Sequence, residues 1–305
     1  MVLDDGAKLG PGSLLWTTAG DPRSLLSGAT AGIMQLMYPG LGAGVSEHSD
    51  FFLDPFDRIF RSIPMIWSTI FADEDEAETL GHRIRGFHKD IKGVDTKGRS
   101  YHALDPEVFW WAHGTFTWEF FRARELFWPV PLNAGQKEQL YSETLTWYRR
   151  YGMSERPVPA TYELFVKKFN GICSDILEMT PAAQWVLDHG SNPGARPQRL
   201  RLPGPLGIFN SSATHLNGEV VRLMVYGSMP DVVRRRFNLR WSNMDRIAFI
   251  NLCATVRAAG PAIGRGALDG MWPAGTPHLS SNSDSEVVLA GDSWRQRRDL
   301  AKSGQ

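Results

Sequence analysis

The side chains in this sequence best suited to chemistry lie between residues 54 and 93. DPFDRIFRS carries Arg58, Arg61 and Ser62, and RIRGFHKDIKG carries His88. An imidazole can hold a metal or move a proton near neutral pH. A guanidinium offers fixed donors to an anion or an oxygen-bearing ligand, and a hydroxyl can both donate and accept.

Two helices must position these groups, and the pattern predicts them over Asp54–Ile70 and Asp73–Lys92, with a short break between. Asp54 followed by Pro55 reads as an N-cap and a first helical position. Asp73-Glu74-Asp75-Glu76 places four carboxylates where the helix dipole favours them. At about 100° per residue, Ala77, Leu80, Ile84, Phe87 and Ile91 form one apolar stripe on the second helix. His88 borders that stripe beside Ile84, with Gly81 on the same line, while His82 falls on the opposite, water-facing side. An inward histidine next to a glycine suits a flat ligand such as a haem, although from the residues alone a hydrogen-bonded core histidine is the favoured reading. On the first helix Arg58 and Ser62 lie about 40° apart, with Arg61 on the same side. That strip reads either as a solvated basic edge or as a polar surface aimed at a ligand.

Around these helices the chain reads as all-α, one multi-helix domain over residues 21–263. A lead-in over 1–20 precedes it, and a Gly-, Pro- and Ser-rich tail over 264–305 follows. Leu25–Val45 contains no charge, yet its five glycines and Pro39 make it a poor membrane span. It is expected to be a buried helix broken near Tyr38-Pro39-Gly40. Val94–His102 reads as a turn or short hairpin around Lys97-Gly98. Glu107–Phe127 is a helix dense in aromatic residues, containing His113. Further helices are expected over Ala134–Tyr151, Ala160–Leu177, Pro181–Asp188, Pro205–Tyr226, Asp231–Arg236 and Asn243–Ala259. His113 suits a ligand, a ring-stacking neighbour or a hydrogen-bonded core residue. Trp110, Trp111, Phe116 and Phe120 suit pocket walls or plain helix packing.

Composition narrows the classes further. Lys+Arg and Asp+Glu both number 33, so no basic excess argues for nucleic acid. Cys173 and Cys253 stand far apart, which excludes a disulfide framework or a cysteine zinc site. MVLDDGAKLG shows no apolar core of a signal peptide, and a cytoplasmic protein is expected. No phosphate loop, HExxH or nucleophile elbow is present.

Taken in order, several stretches resemble the family of latex clearing protein (rubber oxygenase) and the MpaB-type oxygenases. They are YPGLGAGVSEHSDFFLDPFDRIFRS, RIRGFHKDIKGVDTKGRSYHALDPEVFWWAHGTF, PVPATYELF and MPDVVRRRFNLRWSNMDR, spanning about Leu25 to Ala259. The specific part is an arginine–hydroxyl pair, then H-x-x-[IV]-x-G, then Y-x-A-L-D-P.

The resemblance implies a helical fold holding one haem b. His88 would be the proximal iron ligand, with His48 and His113 as competing ligands, and Gly81, Ile84 and His113 would lie beside the cofactor. Arg58 and Ser62 match the family's arginine and hydroxyl residue, with serine in place of threonine; they would meet a haem propionate or dioxygen. Arg61 lies in the same strip. Glu47 matches the family's catalytic glutamate by approximate position and, if inward, would remove an allylic proton. Tyr38 stands where the family often has histidine.

The function implied is a haem-dependent oxygenase acting with dioxygen on an apolar, isoprenoid-like substrate by C=C cleavage. The alternatives are a non-catalytic haem sensor or carrier, and a helical interaction protein without metal.

Overall fold

Capping chemistry sets most helix starts in the computed structural model, which describes residues 9–49, 52, 55–189 and 214–260, without the side chains of 55–61, 189 and 214–217. Ser13 opens α1 (Leu14–Ala19), its hydroxyl accepting from the Trp16 N–H at 3.2 Å. Within the stretch expected to be a loose lead-in, residues 14–19 are therefore helical. The reason is packing, because Leu15 and Ala19 are fully buried. Asp21 then caps a 3-10 turn, Pro22–Ser27.

The uncharged stretch forms α2 (Gly28–Leu36) and α3 (Pro39–His48), broken at Met37-Tyr38 as expected, since proline cannot continue the first helix. No helix among the described residues is long and apolar enough to cross a membrane. α4 (Pro55–Phe71) carries an internal Pro64. α5 (Glu74–Phe87) is capped by Asp73, whose carboxylate accepts from the Glu76 N–H at 3.0 Å. The helix expected to reach Lys92 therefore ends at Phe87, five residues short. The chain leaves through His88–Asp90 into an antiparallel hairpin, β1 (Lys92–Val94) and β2 (Ser100–His102). Gly98 turns that hairpin at φ +78°, a conformation glycine adopts without strain.

α6 (Pro106–Phe127) runs through the centre, followed by α7 (Ala134–Arg149). Next come α8 (Tyr162–Gly171), continued by a π-helical turn to Ile176, and α9 (Pro181–His189). α10 (Thr214–Ser228) is the described part of the helix expected from Pro205, whose start lies outside the described residues, as do the N-terminal eight residues and the tail. α11 (Asp231–Arg236) and α12 (Asn243–Ala259) match their expected bounds, and α12 opens with a Ser242/Asp245 capping box. Among the described residues the fold is all-α apart from the two-stranded hairpin.

Three tryptophans hold the interior in register. Each buries a large apolar ring and spends its indole N–H on a neighbouring helix. Trp67 donates to the Ala19 carbonyl, Trp111 to the Met34 carbonyl and Trp147 to the Thr69 hydroxyl. These bonds join α4 to α1, α6 to α2 and α7 to α4. Phe116 and Phe120 stand 5.7 Å from Trp67, so both pack between helices.

Candidate functional site

α4 and α5 form an antiparallel pair, and α7 locks it at the turn. The Arg150 guanidinium is buried, donates to the Thr69 carbonyl at 2.5 Å and pairs with Glu74 at 2.6 Å. A Cβ at Gly81 would overlap the Arg150 carbonyl oxygen. The close approach that Gly81 permits is thus of protein backbone, which corrects its expected place beside a cofactor.

Along α5, Ala77 and Ile84 are buried and Leu80 and Phe87 half-buried, as the stripe requires. His88 is the C-cap, with φ −94° and ψ −2°, and is half-buried. Its Nδ1 lies 2.8 Å from the Ile84 carbonyl oxygen. A carbonyl only accepts, so Nδ1 is the donor and Nε2 carries the lone pair of the neutral ring. The ring meets the edge of Phe109 at 5.9 Å between centroids. This tautomer, fixed by a backbone carbonyl, is the state in which an imidazole serves as a metal ligand. His82, by contrast, is exposed beside Glu78.

Arg58, Arg61 and Ser62 belong to α4, on the helix paired with α5. The Ser62 side chain is half-buried, and the two arginine side chains lie outside the described residues.

The second cluster sits where α3 meets the hairpin. The buried Tyr101 hydroxyl donates to Glu47 Oε2 at 2.6 Å, and His48 Nε2 lies 3.1 Å from that hydroxyl and 3.2 Å from the Lys92 carbonyl. Burial, and then the bond to Glu47, push the Tyr101 phenol well above its ordinary range. Glu47 itself is exposed. The condition set for it as a proton-removing base, that it face inward, is not met. Its carboxylate fastens α3 to β2 instead. Tyr38 stacks on Trp111 at 5.9 Å, and burial raises its phenol.

His113 takes the core role among those open to it. It is buried, Nε2 donates to the Thr144 carbonyl at 3.0 Å, and its ring lies 4.6 Å from Trp147 and 5.0 Å from Tyr148. Desolvation lowers its pKa to about 3, so the ring stays neutral. Trp110 and Trp111 are buried too, Trp110 under the Lys168 ammonium and Trp111 stacked on Phe169.

Glu119 was passed over as a functional residue in the sequence. It is buried, neither carboxylate oxygen has a hydrogen-bond partner among the described residues, and burial raises its pKa well above the usual carboxylate value. The available signal was a glutamate inside an aromatic run, WEFF, at the centre of a helix.

A haem asks the protein for one or two axial donors and not for a cage. Among the described residues no three His, Cys, Asp or Glu side chains gather as a metal-ion site. His88, with its proton on Nδ1 and its lone pair on Nε2, at the border of an aromatic interior, fits the group.

Compared with known proteins, the chain matches a family model over residues 16–258, described as ER-bound oxygenase mpaB/B'/Rubber oxygenase, catalytic domain. No curated protein and no solved structure matches it.

Proposed function

This chain belongs to the mpaB/rubber oxygenase catalytic-domain family, and from that premise we propose that it is a haem b-dependent oxygenase acting with dioxygen on an apolar, alkene-bearing substrate. The observation that carries the haem reading is the 2.8 Å bond from His88 Nδ1 to the Ile84 carbonyl, which presents Nε2 as the ligating atom. His88 would hold the iron, and the haem, when bound, would supply the dioxygen chemistry.

The chain's own residues bind, orient and exclude water. Ile84 and Phe109 form the apolar border on which the imidazole rests. Its ring is held by its own helix, so little freedom is lost on ligation. Ser62, one helix away, offers a hydroxyl donor in place of the family's threonine, and Arg58 and Arg61 on the same helix would give charge-assisted bonds to a carboxylate or an oxygen ligand. Isoprenoid C=C cleavage is the finer form of the proposal.

One observation favours a second reading, a haem carrier or sensor without turnover. Glu47 is exposed and engaged by Tyr101, so the proton-removing half of the family's site is less well supported than the haem-holding half. Haem-reconstituted protein supplied with dioxygen and a polyisoprenoid separates the two. Stoichiometric dioxygen uptake with carbonyl products is expected, and a stable haem protein with neither would leave the carrier.

A further inference from the structure

α12 is apolar on two opposite sides. Its inner side places Phe249 and Cys253 in a small core with Met224 and Phe127, flanked by Leu252 and Val256. At 100° per residue, Met244, Ile247, Ile250 and Ala254 fall on the outer side. There Met244 is 74%, Ile247 53% and Ile250 57% exposed. The other large exposed aliphatics among the described residues, Val94, Val130, Leu164 and Ile176, each lie on a different segment. A surface helix usually has one apolar stripe, and a second exposed stripe marks a contact surface.

Charge is unevenly placed around this face. The chain as a whole is neutral, yet residues 231–260 hold six arginines and two aspartates. Both aspartates are already matched, Asp231 by Arg234 and Asp245 by Arg222. Arg246 and Arg257 are exposed along one border of the stripe, and Arg235, Arg236 and Arg240 are exposed just before the helix. At the N-terminal end of α12, a cleft of about 520 Å³ is lined by Arg222, Tyr226, Arg240 and Ser242, with Glu219 and Asp245. Both of those acids pair with Arg222. Arg240 forms no ion pair among the described residues.

We infer that the outward face of α12 docks on an anionic phospholipid bilayer, with Met244, Ile247 and Ile250 entering the headgroup–acyl boundary and the arginines around them meeting lipid phosphates. An aliphatic stripe bordered by arginine is what an interfacial helix needs, and each basic group near an anionic surface adds to the attraction. A nucleic acid would be met by the arginines but not by three exposed aliphatic side chains. Seventeen residues at 1.5 Å each give a contact line of roughly 25 Å. The inference goes beyond the oxygenase reading and is independent of haem.

The test is co-sedimentation of the full-length protein with phosphatidylcholine vesicles, with and without phosphatidylglycerol, at low and high salt. Wild type and His88→Ala alike are expected to bind the anionic vesicles and to release at high salt. Ile247→Glu/Ile250→Glu and Arg240→Glu/Arg246→Glu are each expected to bind about tenfold or more weakly, with unchanged circular dichroism and melting. Equal binding by wild type and both variants would overturn the inference, as would no binding by wild type. A change in the protein's size in solution in Ile247→Glu/Ile250→Glu, with vesicle binding unaltered, would assign the face to a second copy of the chain and equally overturn it.

Discussion

His88 and His113 each engage a backbone carbonyl through one ring nitrogen, and they use opposite ones. His88 spends Nδ1 on the Ile84 carbonyl of its own helix, at a helix end, half-buried. His113 spends Nε2 on the Thr144 carbonyl of a neighbouring helix, inside a cage of Trp147, Tyr148 and Tyr151. The first arrangement positions a ring while asking little of the fold. The second makes the ring part of the α6–α7 seam. Residue type is the same in both, and what differs is which ring nitrogen donates to a carbonyl and which helix that carbonyl belongs to.

The largest expected effect tests that division on stability. His113→Ala empties an aromatic site and is expected to cost about 3 kcal/mol in urea unfolding. His88→Ala in the haem-free protein is expected to cost less than about 1 kcal/mol. Equal costs would break the comparison. Acid sharpens it. The folded pKa of His113 lies near 3, below the unfolded value of about 6.5. As pH falls from about 6.5 towards 3 the unfolded chain takes up a proton that the folded chain refuses, so stability declines across that window. His113→Asn should lose that part of the decline.

Next in size is the lock on the His88 helix. Gly81→Ala drives a methyl group into the Arg150 carbonyl and is expected to cost about 1–3 kcal/mol. A neutral or stabilising outcome in a melting series would mean that α7 does not brace α5 there.

Much of this was legible in the sequence. The run Asp73-Glu74-Asp75-Glu76 announced the start of α5 through the helix dipole, and Tyr38-Pro39 announced the break between α2 and α3. The position of His88 on the apolar border was readable from periodicity. The end of its helix was not, because the hairpin pairing of Lys92 with His102 ends α5 through contacts distant in sequence. α1 was missed for a similar reason. Six residues make a poor isolated helix, and its support comes from Trp67 and from Glu143, whose carboxylate accepts from the Leu15 N–H at 2.6 Å. The role of Glu47 was placed by analogy of position, and only the fold reveals that Tyr101 holds it outward.

A smaller effect concerns the interior shared by both regions. Glu119 has a folded pKa above its unfolded value. Its penalty is absent below about pH 4.5 and grows as pH rises, since only the unfolded chain then ionises freely. Glu119→Met is therefore expected to stabilise by about 1–2 kcal/mol at pH 8, with the gain shrinking towards pH 4. Destabilisation at pH 8 would show that the carboxylate is needed where it is. The smallest effect is on α5 again. A Cβ at Gly86 meets nothing, so Gly86→Ala should gain up to about 1 kcal/mol from helix propensity.

The central claim is that His88 presents Nε2 to a haem iron. The most direct test is the absorption spectrum of haem-reconstituted wild type and His88→Ala, oxidised and dithionite-reduced, with and without added imidazole. A Soret band at one haem per chain in wild type, lost or shifted in His88→Ala and restored by imidazole while the circular dichroism stays helical, is the predicted result. An unchanged spectrum in His88→Ala, or no haem uptake by wild type, would contradict it.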